Sequence, residues 1–302
     1  MSEIMWPAIE GFVNEPSINY VDVHGILARC EERVAASLAA GSKPRNILLN
    51  SKHGLGKTLL AASLAKNLRH RLKQIVPLVV FDCSEDTREY HLKGTYNLND
   101  GGSTSFVPGP IPTAIHLANT TGLAILCLEE MSALTPGAQK VLNSITDWRS
   151  GIFLPLLGRT IHLEPKANVL VLATMNPNVY GGVYLVNQDL RSRFVEEVVP
   201  WPTMEAEKLI LSEQVPGANK DMVDKVAQFI RDTRGQEGAH LSTREAVAIL
   251  QELHELPNLT HDVLYCLLNK FEGRLLRKTI ADRLDATFNT NFRTIVDKET
   301  NV

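Results

Sequence analysis

Five short, mainly apolar runs, several of them almost unbroken, set the strongest limit on the fold of this chain. They read NILLN at 46–50, LVVFDC at 78–83, LAILCLEE at 123–130, NVLVLATMN at 168–176 and VEEVV at 195–199. Their length suits β-strands, and apolarity at successive residues means that both faces are buried. Strands buried on both faces are typical of a mainly parallel sheet covered by helices. The runs therefore predict a five-stranded parallel sheet in a three-layer α/β domain.

Helical patterns fill the spaces between these runs. We predict helices over 22–40, 58–73, 110–120 and 135–148, the last beginning at a Thr-Pro capping pair. Beyond residue 201 the strand pattern stops, and helical periodicity continues at 204–213, 219–233, 242–254, 260–270 and 272–285. The chain is therefore predicted to have an α/β domain over 1–202, a small all-α domain over 203–285, and a tail over 286–302 that is either disordered or docked on a neighbour.

The composition limits the class of function. The 302 residues are 44% hydrophobic and carry a net charge of -3, which gives no excess positive charge for non-specific binding to nucleic acid. The four cysteines have no paired spacing of a zinc site or a disulfide framework. The first residues lack a charged leader followed by a long apolar run, and no later segment has the length of a membrane span. We expect a soluble, cytoplasmic protein without membrane contact.

The segment SKHGLGKT at 51–58 lies between the first strand run and a helical pattern. It matches the phosphate-binding pattern G-x-x-x-x-G-K-[ST] at every fixed position except Ser51, where the pattern has glycine. Backbone N–H groups of such a loop and of the helix after it bind phosphate, and Gly54 and Gly56 can provide the positive φ that the loop needs. We therefore predict nucleotide binding by Ser51, Lys52, His53, Gly54, Leu55, Gly56, Lys57, Thr58 and Leu59.

Three side chains carry the predicted chemistry at this loop. Lys57 is expected to bridge the β- and γ-phosphates, and the Thr58 hydroxyl to coordinate Mg²⁺. The run at 123–130 ends in two adjacent carboxylates, Glu129 and Glu130. A nucleotide hydrolase needs one acid near the metal and one that polarises water, and the carboxyl ends of parallel strands open into the crevice of the phosphate loop. We assign Glu129 to the metal and Glu130 to the water.

The order of the motifs resembles that of a known family. SKHGLGKT, AILCLEEM, VLATMNP and DLRSRF occur in the order of the AAA+ ATPases. The passage DCSEDTREYHLKGTYNLNDGGSTSFVPGPIPTAI at 82–115 is similar to one in the MoxR-like and dynein-related branch, which includes midasin, McrB and CbbQ. The resemblance covers residues 40–250 and implies binding of ATP and Mg²⁺ and hydrolysis of ATP.

The resemblance also implies roles for individual residues. Asn176 matches the polar residue that orients the attacking water, at the tip of a strand between the other two. Arg191 and Arg193 match the place of the arginine finger, which reaches the nucleotide of the neighbouring subunit, and the residues leave open which of the two it is. Arg244 matches the arginine of the helical lid. One departure is Glu129, where the family has aspartate, so slow turnover is expected if the longer side chain shifts the metal.

Partners follow from the same resemblance. An arginine that acts across subunits implies a homo-oligomer, as a ring of six, that remodels a protein client, with a von Willebrand A domain supplied by a separately encoded partner. Residues 94–109, turning around Asp100-Gly101-Gly102, and residues 151–165, turning near Leu157-Gly158, are predicted hairpins that either contact the client or are ordinary surface loops.

Two other functions stay open on the sequence. An ATP-dependent assembly switch with weak hydrolysis is compatible with the departures at Ser51 and Glu129. A motor acting on DNA or RNA is compatible with the resemblance to McrB, because a pore can concentrate a few positive residues such as Lys93 and Arg159 by symmetry. The composition does not favour nucleic acid.

Overall fold

The computed structural model describes residues 4–99, 102–176, 184–234, 236 and 240–298 of the chain. Within these residues the chain forms two compact units. The first contains the described residues up to Lys52 and Gly56–Pro200, and the second contains His53–Leu55 and the described residues from Trp201 onward. No helix of the described residues is long and apolar enough to cross a membrane.

Helices and strands alternate along the first unit. In chain order they are α1 (Ile26–Ala39), β1 (Asn46–Asn50), α2 (Lys57–Leu72), β2 (Leu78–Asp82), α3 (Glu89–Lys93), β3 (Gly94–Leu98), β4 (Thr104–Pro108), α4 (Pro110–Thr121), β5 (Leu123–Glu129), α5 (Pro136–Val141), α6 (Asn143–Thr146), β6 (Gly151–Leu154), β7 (Arg159–His162), β8 (Asn168–Met175), α7 (Gln188–Arg191) and β9 (Phe194–Val198). All five predicted strand runs form strands.

The main sheet of this unit has the strand order β2-β5-β8-β1-β9, and every neighbouring pair is parallel. The predicted fold class is thereby confirmed. β8 lies between β1 and β5, with Leu49 beside Thr174 and Cys127 beside Leu172. Because parallel strands all end at the same edge of a sheet, the residues that follow these three strands come side by side.

Burial of both sheet faces explains why the apolar runs form strands here. Leu48, Leu126 and Val171 are completely buried in the three central strands. Complete burial of each such side chain contributes about 1.5–3 kcal/mol. Packing of the three central strands therefore stabilises the sheet. It also stabilises the edge at which β1, β5 and β8 end.

The predicted helix over 135–148 is wrong as a single helix, because α5 and α6 are separate. Thr135 caps α5 as expected, with its hydroxyl accepting from the Ala138 N–H. The interruption comes at Leu142, whose N–H donates to the carbonyl of Gln139 three residues back. The Ser144 hydroxyl also donates to a backbone carbonyl, that of Val141, at 2.7 Å. Hydroxyls that bond to backbone carbonyls compete with the regular helical pattern and bend it.

Two antiparallel hairpins extend from the first unit, as predicted. One pairs β3 with β4, and the other pairs β6 with β7 through a turn that ends at Gly158, with φ of 61°. Asp100 and Gly101, in the expected turn of the first hairpin, lie outside the described residues. The Tyr96 hydroxyl donates to the Leu156 carbonyl at 3.0 Å, which ties the two hairpins together.

The second unit is helical, as predicted. Its helices are α8 (Met204–Gln214), α9 (Lys220–Arg234), α10 (Thr243–Glu255), α11 (Thr260–Leu268), α12 (Arg274–Phe288) and α13 (Phe292–Lys298). Buried side chains from all six helices form one apolar cluster. After Pro200, which belongs to the first unit, the chain returns to the second unit at Trp201. The domain boundary between residues 202 and 203 stays a prediction.

The segment predicted as a tail over 286–302 is ordered in part. Residues 286–288 complete α12, and α13 follows with Phe292 and Val296 buried in the apolar cluster. The Asp285 carboxylate fixes the start of α13, because it accepts from the N–H groups of Phe292 at 2.7 Å and Arg293 at 3.0 Å. The described part of this segment thus belongs to the core of its own unit. Its amphipathic pattern is too short to be distinguished from a tail by periodicity.

We expect replacement of Phe292 by alanine to lower the free energy of unfolding of the second unit by about 3–5 kcal/mol, because the ring is completely buried. Urea denaturation followed by circular dichroism measures this change. Leu275→Ala is the matched control, because Leu275 is 81% exposed on α12, and its effect is expected within about 0.5 kcal/mol. Equal stability of the two variants would show that α13 does not contribute to the core.

Candidate functional site

The loop at 51–58 leaves β1 and enters α2 with the backbone conformation that its glycines predict. Gly54 has φ of 70° and Gly56 has φ of 76°, both in the left-handed region that favours glycine. A Cβ atom at Gly56 would also lie 3.4 Å from the Tyr20 ring. The predicted nucleotide-binding residues 51–59 therefore form this loop and the first turn of α2, and the positive N-terminal end of a helix favours an anion.

The Lys57 ammonium is held by backbone and side-chain oxygens. It donates to the Ser51 carbonyl at 2.9 Å, the Ser51 hydroxyl at 3.1 Å, the Lys52 carbonyl at 3.1 Å and the Asn176 amide oxygen at 2.9 Å. Four acceptors share its three hydrogens. Ser51 is buried and its hydroxyl is one of these acceptors, so the residue that departs from the phosphate-loop pattern contacts the lysine directly.

Asn176 connects the lysine to the second acid. Its amide nitrogen donates to the Glu130 carboxylate at 3.4 Å, while its amide oxygen accepts from Lys57. The strand order explains this arrangement, since Asn176 follows β8, and β8 lies between the strands that precede Ser51 and Glu130. The structure thus brings together Lys57, Asn176 and Glu130, which are far apart in sequence.

Glu130 itself has an unusual backbone conformation. Its φ of 52° and ψ of 45° place a non-glycine residue in the left-handed region, which costs about 1–3 kcal/mol and is concentrated at functional sites. Its N–H donates to the buried Thr174 hydroxyl at 3.1 Å. Thr174 was not predicted from the sequence, although it is the one polar residue between Val169 and Met175 of β8.

Glu129 ends β5 and has the properties of a metal ligand. One of its carboxylate oxygens is buried without a hydrogen-bond partner among the described residues, and a buried oxygen of this kind is costly unless a ligand satisfies it. Its register partner across the sheet is Asp82. Burial raises the pKa of the neighbouring Cys83 thiol to about 12, and the charges of Asp82, Glu129 and Glu130 add to the rise. A negative field therefore surrounds this strand edge.

This donor set fits Mg²⁺ bound together with a nucleotide. Within the described ranges, no group of three or more His, Cys, Asp or Glu side chains could hold a metal ion. Mg²⁺ in phosphate-transfer sites is commonly held by one or two carboxylates and by substrate phosphates. Glu129 and the Thr58 hydroxyl would be the protein ligands of such a site, together with phosphate oxygens.

The two candidate arginines differ in their contacts. Arg191 donates three hydrogen bonds to the Glu196 carboxylate, at 2.6, 2.9 and 3.0 Å. Glu196 also accepts from the Asn50 amide at 2.8 Å. Burial alone would raise the pKa of Glu196, but the hydrogen bonds from Asn50 and Arg191 and the charge of Arg191 outweigh it and lower the pKa. The Arg191 guanidinium is therefore engaged within its own chain.

Arg193 is held more loosely. Its Nε donates to the Asp189 carbonyl at 3.2 Å, and one terminal nitrogen lies 3.7 Å from the Asp147 carboxylate. The same carboxylate makes a closer ion pair with Arg149, at 2.6 Å. Among the described residues, the Arg193 side chain thus has one carbonyl contact and one long ion pair, and neither is bidentate.

Arg244 belongs to the second unit, where it is the second residue of α10. Ser242 caps this helix through a capping box with Glu245, so the first turn that carries Arg244 is fixed locally. Its predicted role at the nucleotide stays a prediction. Tyr20, which packs on the loop of the first unit, was not predicted, and no sequence pattern identifies it.

A family model for the AAA domain of the dynein-related subfamily matches residues 46–194. The match begins at β1 and ends at β9, so it contains the phosphate loop, Glu129, Glu130, Asn176 and both candidate finger arginines. It covers the same motifs on which the resemblance in the sequence depends.

Individual relatives are more distant. The chain is 24% identical to an uncharacterised protein of Staphylococcus saprophyticus over 81% of this chain and 91% of that protein. It is 25% identical to a protein of Methanothermobacter marburgensis named as a homologue of a 26S proteasome regulatory subunit, over 67% of this chain and 47% of that protein.

Among solved structures, the RuvB Holliday junction branch migration motor of Thermotoga maritima has a similar fold. The TM-score is 0.51 at 16% identity, over 80% of this chain and 67% of the RuvB chain. At this identity the likeness is one of fold. The sheet order, the geometry of the loop and the match over 46–194 agree, and the chain belongs to the AAA family, in its dynein-related subfamily.

Proposed function

We propose that this protein is an Mg²⁺-dependent ATP hydrolase of the MoxR-like type that works as a ring and remodels a protein client. The observation that carries the proposal is the chain of contacts from Lys57 through Asn176 to Glu130, because it joins the loop at 51–58 to the acid that we assign to the water. Membership of the AAA family supports nucleotide binding. Hydrolysis, the ring and the client are the steps that need testing.

The residues divide the reaction between them. N–H groups of residues 51–59 bind the phosphates, and Lys57 exchanges its contact with Asn176 for a phosphate oxygen. Thr58 and Glu129 would hold Mg²⁺, which would neutralise phosphate charge. Glu130 accepts a hydrogen bond from the attacking water and takes its proton, while Asn176 orients that water. Arg244 contributes positive charge to the phosphates from the lid.

Arg193 is the better candidate for the arginine that acts on a neighbouring subunit. A guanidinium that reaches another protomer must leave its contacts in its own subunit. Arg191 would give up a bidentate, charge-assisted pair with Glu196, whereas Arg193 would give up one carbonyl contact and a distant ion pair. A head-to-tail arrangement in which each site is completed by the next protomer fills every site when it closes into a ring, for which the resemblance implies six subunits.

A protein client fits the surface of the two hairpins. Leu98, Phe153 and Leu156 are exposed at or beside β3 and β6, and the contact between Tyr96 and Leu156 places the hairpins side by side. An exposed apolar patch of this kind is typical of contact with proteins, and a net charge of -3 gives nucleic acid no general advantage. A von Willebrand A partner is proposed from the resemblance alone.

An assembly switch with weak hydrolysis is the second candidate function. Glu129 favours it, because a side chain longer by one methylene shifts the metal position unless the surrounding residues compensate. The steady-state rate of ATP hydrolysis per protomer separates a switch from a remodelling enzyme.

Glu130→Gln is expected to lower the rate of ATP hydrolysis by about 10²–10⁴-fold while nucleotide affinity changes little, because the amide cannot take a proton from water. A phosphate-release assay and titration calorimetry measure the two quantities. Glu85→Gln, at an exposed acid of the same unit, serves as the control with wild-type values expected. A fully active Glu130→Gln variant would remove this residue from the mechanism.

Mixing of two inactive variants tests the contribution of Arg193 to a neighbouring site. Lys57→Ala is expected to abolish nucleotide binding, and Arg193→Ala to abolish turnover while nucleotide still binds. In a mixed ring, a protomer with intact Lys57 can receive Arg193 from its neighbour, so random mixing at equal amounts is expected to restore about a quarter of the wild-type rate.

The same mixture made with Arg191→Ala in place of Arg193→Ala identifies the residue. If Arg191→Ala alone turns over at near the wild-type rate, Arg193 is the finger. Recovery in the Arg191 mixture and none in the Arg193 mixture would reverse the assignment. Absence of recovery in both, with rings present by light scattering, would exclude an arginine shared between protomers.

Stimulation of ATP hydrolysis distinguishes the client classes. A reduced, carboxymethylated, permanently unfolded polypeptide is expected to stimulate the rate, and a single-stranded oligonucleotide is not. The double variant Leu98→Ser with Leu156→Ser is expected to raise the half-saturating polypeptide concentration about tenfold, which corresponds to a loss of ~1.4 kcal/mol of binding free energy. Leu275→Ser is expected to leave this concentration unchanged. Stimulation by the oligonucleotide alone, lost as salt rises, would favour a nucleic-acid motor.

A further inference from the structure

Arg234, the last residue of α9, makes an unusual number of directed contacts inside the second unit. It donates to both oxygens of the Glu207 carboxylate, at 2.8 and 3.1 Å. It also donates to the Leu241 carbonyl at 3.1 Å and to the Thr243 hydroxyl at 3.1 Å. Its guanidinium lies 4.1 Å from the centre of the Trp201 ring, a distance suited to a cation–π contact.

These contacts join segments that are distant in sequence. Trp201 is the residue at which the second unit resumes, Glu207 lies on α8, and Leu241 and Thr243 precede and begin α10. One guanidinium therefore fixes the entry of the chain, two helices and the start of a third. The next residue after Thr243 is Arg244, the arginine proposed to contact the phosphates.

The pair is buried, and burial decides what it can contribute. The side chains of Arg234 and Glu207 are 10% and 3% exposed. Desolvation of two charges offsets most of their attraction, so a buried ion pair is a weak source of stability, and well-packed apolar residues replace it at little cost or with a gain. What apolar residues cannot replace is direction. The planar fork of arginine sets the angle of each hydrogen bond that it donates.

We propose that Arg234 is a positioning residue for Arg244, which it orients through its contacts with Leu241 and Thr243 at the start of α10. The inference rests on the proposed function, in which Arg244 acts on the bound nucleotide. We call the contacts of Arg234 with Leu241 and Thr243 the tether. Loss of the tether lets the first turn of α10 shift relative to Trp201 and α8. A displacement of about 1 Å of a charged group can lower turnover 10²-fold.

The test separates positioning from stability by removing the pair as a unit. In the double variant Arg234→Met with Glu207→Leu no uncompensated charge remains, so the melting temperature is expected to stay at or above that of the wild type. Its turnover is expected to fall at least tenfold, as in Arg244→Ala. The control is Asp221→Ala with Lys225→Ala, which removes an exposed ion pair within α9, and wild-type turnover is expected.

Non-additivity gives the decisive readout. If Arg234 acts through Arg244, addition of Arg244→Ala to the double variant lowers turnover no further, whereas independent roles multiply the two losses. Thr243→Val supplies a second variant that keeps the ion pair and removes one contact of the tether. It is expected to lower turnover in the same direction by a smaller factor, and again without further loss in the Arg244→Ala background.

The outcomes distinguish this inference from the proposed function. Wild-type turnover in the folded double variant, or losses that multiply with Arg244→Ala, would overturn the positioning role while hydrolysis by the wild type stands. Absence of ATP hydrolysis in the wild type, or an Arg244→Ala variant with normal turnover, would instead overturn the proposed role of Arg244 and the inference with it. If the double variant does not fold, the Thr243→Val series decides.

Discussion

The parallel order β5-β8-β1 at the centre of the sheet is the constraint on which the candidate site depends. Parallel strands end at one edge, so Glu130, Asn176 and Ser51, each of which follows one of these strands, meet there. The contacts from Lys57 to Asn176 and from Asn176 to Glu130 exist because β8 lies between the other two strands. An exchange of β8 with an outer strand would separate Lys57 from Glu130 without changing a single residue.

Two features that are unfavourable for folding lie at the same edge of the sheet. Glu130 has a left-handed backbone, and Glu129 has a buried oxygen that no described residue satisfies. Both features cost folding free energy, and the packed central strands offset that cost. Features of this kind persist where they serve a ligand. Their position beside the phosphate loop supports a site that binds an anion together with a cation, which is the requirement of a nucleoside triphosphate with its metal.

Much of the fold could be predicted because it depends on local pattern. Most of the strand runs were identified by near-continuous apolarity, and the glycines of the phosphate loop needed only positive φ. Thr174 and Tyr20 escaped prediction because their roles depend on contacts with residues distant in sequence, Glu130 and Gly56. The break at Leu142 escaped because side-chain hydroxyls competed with the helix, and α13 because seven residues carry little periodicity. Arg234 had no sequence signal, since an arginine at the end of a helix usually faces solvent.

The two departures from the family pattern are chemically compatible with the site in different ways. Ser51 adds a hydroxyl acceptor for the Lys57 ammonium, so the lysine is held by one more oxygen than glycine would offer. A lysine with more protein acceptors would give up more on turning to a phosphate, since a hydrogen bond to a charged group contributes about 1.5–3 kcal/mol. Glu129 keeps the carboxylate but lengthens its reach. Under the proposed function, Ser51 would therefore act on nucleotide affinity and Glu129 on metal placement, so the two departures would affect separable steps.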